Sequence, residues 1–141
     1  MKTEVSAGGV IVRRLNDSWE VILICDPKGK WTFPKGHPEG DESHLATAIR
    51  EIGEEVGVRD LVHLADLTPV EYLFTRDGLV KKTVHFFLFE TAGESVLAPQ
   101  NEEGITDAVW VPIDEAANQI GYPKTNKPIL KEALNFLTTR I

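Results

Sequence analysis

Between Gly36 and Val58 the chain reads GHPEGDESHLATAIREIGEEVGV, which sets six carboxylates and one Lys or Arg on a segment with helical spacing. Apolar residues fall at Leu45, Ala48, Ile49, Ile52 and Val56, the three- and four-residue rhythm by which a helix lays one stripe on a core. Asp41 stands at the predicted N-cap, and Gly57 stands where a helix would stop. Glu51, Glu54 and Glu55 are separated by three and four residues, so they emerge as one patch rotated off the buried stripe. Like charges so placed repel. No lysine lies four residues away to pair them, so the arrangement is either a solvated acidic face or a place where hard divalent cations bind through oxygen.

The surroundings of this helix read as strands. Val5 to Arg14 and Trp19 to Cys25 are β-rich runs joined at Asn16-Asp17, the signature of a hairpin. Gly8-Gly9 inside the first run predicts a bulge or a close approach by another strand or ligand. Trp31 to Glu42 joins a short strand to the helix, and this loop is the expected seat of chemistry. Leu61 to Thr75, Val80 to Glu90 and Ala108 to Val111 are predicted strands, and Ile113 to Ile120 and Ile129 to Thr138 predicted helices. A mixed sheet with helices on both faces, an α/β architecture, is the expected packing.

At 141 residues the chain is expected to form a single domain, 1–141, with one sizeable core. A lone Cys25 in the apolar run VILIC excludes an internal disulfide and predicts a buried core residue rather than a nucleophile. No apolar run reaches the roughly 20 residues of a membrane span, and MKTEV lacks the apolar stretch of a signal peptide, so a cytoplasmic protein is expected. Net charge is −7, of which the Gly36–Val58 segment supplies −5, six carboxylates against Arg50. Acidity so concentrated beside a Gly-containing loop predicts cations mediating the binding of an anion. No basic stripe tracks a nucleic-acid backbone, so a nucleotide is the expected partner and DNA or RNA is not.

Gly36, five residues, Glu42, seven residues, Arg50-Glu51-Ile52, one residue, Glu54-Glu55, one residue, Gly57-Val58 fills every fixed position of the Nudix box, and the chain therefore resembles a Nudix hydrolase. The resemblance implies the α/β/α Nudix sandwich and hydrolysis of a phosphoanhydride with Mg²⁺ or Mn²⁺. It implies Glu51 and Glu55 as principal metal ligands, Glu54 as ligand or general base, and Gly36 as a ligand through its carbonyl. Glu51 and Glu54 both stay open for the base. It also implies that Arg50 orients the glutamates, that Glu42 braces the loop or helix start, and that Glu103 before Gly104 adds a carboxylate from a distant loop. Bound divalent cations neutralise a polyphosphate, polarise a P–O bond and acidify water.

The flanks resemble one branch of that family. Trp31-Thr32-Phe33-Pro34-Lys35-Gly36-His37 is similar to the segment of dinucleoside polyphosphate hydrolases, and so is Lys81-Lys82 before Val84-His85-Phe86-Phe87-Leu88. Lys35 can meet a phosphate as a point charge, and His37 can donate a hydrogen bond beside it. Strand alternation turns one of Lys81 and Lys82 inward; Lys82 is the candidate. Phe86 and Leu88 read as core. Tyr72, fourteen residues beyond Val58, is the candidate to stack on adenine, with Phe74 two residues further as the substitute. The resemblance thus implies diadenosine polyphosphates, tetraphosphate to hexaphosphate, as substrates, with ATP among the products and a monomer or homodimer as the assembly. ADP-ribose, oxidised nucleoside triphosphates and diphosphoinositol phosphates are the alternative substrates. A non-catalytic Nudix-fold regulator and a structural calcium helix are the other classes, the first opposed by the complete set of box glutamates and the second by the lack of an Asp-x-Asp-x-Asp-Gly loop.

Overall fold

A computed structural model describes residues 1–93, 97–99 and 104–139. Its elements are β1 (Lys2–Leu15), β2 (Ser18–Cys25), β3 (Trp31–Thr32), β4 (Lys35–Gly36), α1 (His44–Val56), β5 (Val62–Asp66), β6 (Val70–Thr75), β7 (Leu79–Glu90), β8 (Asp107–Pro112), α2 (Ile113–Gln119) and α3 (Pro123–Thr139). One mixed sheet runs β3-β2-β1-β7-β5, with β8 on β2, β6 on β7 and β4 on β1. β1 and β7 are parallel from Lys2 opposite Val80 to Val12 opposite Glu90. The β1–β2 hairpin turns at Asn16, whose φ of 58° is a conformation that asparagine tolerates.

Alternation along the strands makes two apolar faces. Ala7, Ile11, Ile22, Ile24, Phe87 and Phe89 pack with Ala48, Ile52 and Val56 of α1, whereas Val10, Val12, Val21, Leu23, Val84, Phe86 and Leu88 pack with Ile113, Ile129, Leu130 and Ala133 of α2 and α3. The result is the α/β/α sandwich. Burying one such side chain, Ile52 for instance, stabilises the fold by about 1.5–3 kcal/mol.

Several local expectations are corrected. Ser43, not Asp41, caps α1: its Oγ accepts from the Ala46 amide at 3.1 Å, while a preceding turn from Glu39 to Glu42 leaves Asp41 exposed and outside the helix. Gly57 terminates the helix at φ 78° as expected. Ile49 is not in the stripe and lies 41% exposed, because the inward face carries Thr47, Glu51 and Glu55 beside Ala48, Ile52 and Val56. The predicted strand from Leu61 to Thr75 breaks at Leu67-Thr68-Pro69, where proline has no N–H for the ladder and the Thr68 amide is held by Glu132 of α3 at 2.9 Å. The last helix begins six residues before Ile129, at Pro123, a favoured first-turn residue, and carries Pro128 within it. Cys25 is half-buried at the end of β2 instead of in the core. Among the described residues no helix is long and apolar enough to cross a membrane.

Candidate active site

The site is built where β4 enters beside β1. Gly8 makes the entry room: a Cβ there would lie 2.1 Å from the Pro34 carbonyl oxygen and 2.6 Å from Lys35 Cβ. Gly9 serves the other face, since its Cβ would meet Ile52 and Phe89 within 3 Å. The close approach expected of the glycine pair is therefore by strand and helix. It pairs Ala7 with Gly36 and Gly8 with Lys35, and delivers Gly36 onto α1. A Cβ on Gly36 would sit 2.1 Å from the Glu51 carboxyl carbon and 2.3 and 2.4 Å from its oxygens. Only glycine leaves space for that carboxylate.

The three glutamates are not equally presented. Glu51 and Glu55 are buried, 8% and 5% exposed, whereas the Glu54 side chain is 42% exposed. Burying carboxylates is costly without compensation. The compensation comes from Arg50, the residue the resemblance implied would orient the glutamates. Its Nη1 donates to Glu51 at 2.9 Å and to Glu54, the residue four further on, at 3.1 Å. Its Nε and Nη2 donate to Glu42 at 2.8 and 3.0 Å, and Nη2 also donates to the His37 carbonyl at 2.8 Å. The fork raises the Arg50 pKa above its ordinary value, through Glu42 first and then Glu51 and Glu54, against desolvation. It lowers Glu42 to about 2, helped by the Glu39 backbone hydrogen bond and Thr47 Oγ1. Glu42 thus ties the loop to the helix through Arg50.

Lys35, Gly36, His37 and Glu55 line one cleft of about 290 Å³ together with Lys82 and Ser6. Lys82 is the inward lysine, 9% exposed, while Lys81 faces Glu71 on the other side. Burial lowers the pKa of Lys35, opposed by Glu55 and Asp26, and burial lowers that of Lys82, opposed by Glu4. His37 sets Nδ1 3.1 Å from the Val5 carbonyl oxygen, an acceptor only, so Nδ1 carries the proton in that contact. Its Nε2 then donates only in the imidazolium form.

Lys35 and Lys82 are shared with a larger cavity of about 670 Å³ on the α3 side of the sheet. Tyr72 and Phe74 form one wall, their rings 6.1 Å apart, and Val84 and Phe86 add apolar surface. Phe86, read as core, belongs to both core and cavity. Tyr122, which the sequence reading passed over, also lines this space. It sits at φ 52° between Gly121 and Pro123, and its hydroxyl donates to Asp26 at 2.5 Å. Desolvation, then Asp26, pushes the Tyr122 pKa up to about 12. Asp26 is itself lowered: desolvation opposes, but Tyr122 and the Lys30 and Lys28 amides prevail. Asn126, 5% exposed, donates from Nδ2 to Thr32 Oγ1 at 3.0 Å and to the Gly121 carbonyl at 2.9 Å. A carbonyl can only accept, so the amide orientation is settled, and among the described residues no donor bonds its Oδ1. A tyrosine between Gly and Pro, with an Asn four residues on, was the available signal.

The missing Cβ lets the Glu51 carboxylate stand against the Gly36 backbone, and Glu55 lines the same cleft as Gly36, so these groups offer the oxygen donors that hard divalent cations require. Among the described residues no three acidic, His or Cys groups already converge on one point. Glu103 lies outside the described residues.

A NUDIX domain family model matches residues 3–133. The chain is 39% identical over 127 residues to a Mycobacterium tuberculosis protein named mutator protein MutT4, covering 84% of this chain and 50% of that one, so it spans half the length of that relative. It is 34% identical over 128 residues to the asymmetrical bis(5'-nucleosyl)-tetraphosphatase of Sus scrofa, covering 86% and 83% of the two chains. Its fold superposes on a C. elegans Ap4A hydrolase binary complex with a TM-score of 0.82 at 24% identity, over 97% and 99% of the chains. With the fold and the box geometry, these matches place the chain in the Nudix hydrolase family.

Proposed function

We propose that this Nudix hydrolase cleaves dinucleoside polyphosphates, with diadenosine tetraphosphate to hexaphosphate as substrates and ATP among the products. The observation that carries the reading is the joining of two spaces along a border of Asp26, Thr32 and two lysines. An aromatic cavity holding Tyr72, Phe74 and Tyr122 opens through Lys35 and Lys82 onto the cleft of Gly36 and Glu55. A purine stacks in the first, the phosphate chain crosses the lysines, and the scissile bond lies at the carboxylates. The pig relative's tetraphosphatase name supports the same substrate class.

Glu51, Glu55 and the Gly36 carbonyl would hold Mg²⁺ or Mn²⁺, with Glu54 as a further ligand or as base. Such a cation supplies charge neutralisation and an acidified water. The chain's own groups do the rest. Arg50 fixes Glu51 and Glu54 relative to the loop, Lys35 and Lys82 neutralise phosphates out of bulk water, and the partly exposed Glu54 can take a proton from water once it leaves Arg50.

A second reading rests on Asn126. Asn126 lines the aromatic cavity, and its Oδ1 accepts but cannot donate, which suits the exocyclic amine of adenine and equally the N7–H of an oxidised guanine. Oxidised nucleoside triphosphates are therefore the competing substrates. The test compares kcat/KM with Mg²⁺ and with Mn²⁺ on diadenosine tri- to hexaphosphates, ADP-ribose, oxidised and ordinary nucleoside triphosphates and diphosphoinositol phosphates, with products identified. Higher kcat/KM on an oxidised triphosphate than on every diadenosine compound would replace the first reading by the second; no turnover of any compound would point to a regulator.

A further inference from the structure

Glu4 sits between two cations. On β1 it is directly opposite Lys82 of β7, which is in turn opposite Tyr72 of β6, so the three residues cross the sheet in one row. One Glu4 oxygen lies 3.8 Å from Lys82 Nζ, and the other accepts from the Arg76 guanidinium. Arg76 belongs to the Arg76-Asp77-Gly78 turn that joins β6 to β7, where Asp77 and Gly78 take positive φ. Its Cζ lies 5.3 Å from the centre of the Phe74 ring, at the edge of the aromatic cavity, and its side chain is 56% exposed. The aromatic contact pre-orients the guanidinium.

We infer that Arg76 and Lys82 form a second phosphate subsite, filled by the Glu4 carboxylate until a substrate displaces it, and that this subsite favours longer phosphate chains. A carboxylate bridging an ammonium and a guanidinium occupies the place a phosphate would take, and a phosphate carries more charge and more acceptor oxygens for the same two donors. Lys82 already faces the catalytic cleft; Arg76 lies beyond it, away from Gly36 and Glu55. The added cation is reached only by a chain long enough to pass Lys82. The preference for long chains rests on the dinucleoside polyphosphate reading, whereas the subsite itself does not.

Two measurements separate them. Calorimetric titration of inorganic tripolyphosphate into the full chain in EDTA reads the subsite without turnover. Arg76→Ala should weaken binding about fivefold or more, Arg76→Lys should recover part of the loss, and Glu4→Gln should tighten binding about threefold, the sign that removing a competing carboxylate requires. Kinetics then read the length preference: in Arg76→Ala the ratio of kcat/KM on diadenosine hexaphosphate to that on the tetraphosphate should fall about fivefold. Glu4→Gln and Arg76→Ala shifting tripolyphosphate affinity in the same direction, or Arg76→Ala shifting it less than twofold, overturns the subsite. An unchanged length ratio with altered tripolyphosphate binding overturns the length preference. Failure of all diadenosine substrates with intact tripolyphosphate effects removes the substrate reading and the length preference with it, and leaves the subsite standing.

Discussion

Replacing Gly36 by Ala should leave a folded but nearly inactive protein. The backbone at 36 does not take a positive φ, so a side chain is not excluded by backbone conformation. What excludes it is Glu51, whose carboxyl carbon would lie 2.1 Å from the new Cβ, where ordinary contact needs 3.4 Å or more. The obstacle is the far end of a flexible side chain, so the fold can yield by moving the Glu51 carboxylate more than about an ångström. A misplacement of that size in a reacting centre costs roughly a hundredfold in rate. The move also disturbs the 2.9 Å bond from Arg50, a charged hydrogen bond whose loss destabilises by about 1.5–3 kcal/mol. Steady-state kinetics on the best substrate of the panel, a thermal melt, and Mn²⁺ binding followed by calorimetry would be read together. Expected are kcat/KM down about a hundredfold, weakened Mn²⁺ binding and a melting point lowered by about 3–5 °C for each kcal/mol lost. Because Glu51 carries the damage, Gly36→Ala should add little to Glu51→Gln in a double-mutant cycle. Activity within threefold of wild type, or full additivity in the cycle, would refute the claim that Gly36 exists to seat Glu51.

Glu51→Gln and Glu55→Gln should each lower kcat by about two to four orders of magnitude with far-ultraviolet dichroism unchanged; activity within tenfold in both would remove these residues from the site. Tyr72→Ala and Tyr122→Ala should each cost about 1–3 kcal/mol of substrate binding, read as a rise in KM on diadenosine tetraphosphate, and a change for Tyr122 alone would move the stacking role from Tyr72 to Tyr122. Glu42 has a folded pKa depressed from 4.5 to about 2, so the stability it contributes is fully present above about pH 4.5 and lost as pH falls toward 2. Denaturant unfolding across that window should show the gap between wild type and Glu42→Gln closing on acidification; a gap constant with pH would contradict the Arg50 linkage.

Much of this architecture is legible in local pattern. Period-two runs mark β1, β2 and β7, the Gly57 stop is a matter of backbone freedom, and the box spacing places Glu51, Glu54 and Glu55 on one helix. What local pattern does not carry is which side of the helix meets which neighbour. Glu51 and Glu55 are buried and Ile49 is exposed because β4 packs against α1, a contact made at Gly36 and admitted by Gly8, both outside the helix. Apolar periodicity alone assigns the inside to Ile49, not to a carboxylate. Tyr122 and Asn126 escaped for the same reason: their meaning comes from Asp26 and Thr32, which only the closed sheet brings to them. The cap at Ser43 in place of Asp41 is a choice between two good capping residues, decided by the turn that Glu39 and Glu42 make first.

Arg50 explains how so acidic a helix folds at all. Read as an isolated segment, the glutamates repel, and removing one ought to stabilise the chain. In the folded protein one guanidinium reaches Glu39, Glu42, Glu51 and Glu54, and the half-buried Lys35 feels Glu55 from the other side. Losing a carboxylate then breaks an ion pair that is only 20% exposed on the arginine side and 11% on that of Glu51, which destabilises more than relief of repulsion stabilises. Neutralising Glu51 should accordingly lower the melting point rather than raise it. The segment still stays strongly negative, since its six carboxylates stand against Arg50 within it and Lys35 beside it. Glu51 brings part of that charge against the Gly36 backbone, and at the metal site proposed there a divalent cation and the phosphates it neutralises would gain from it.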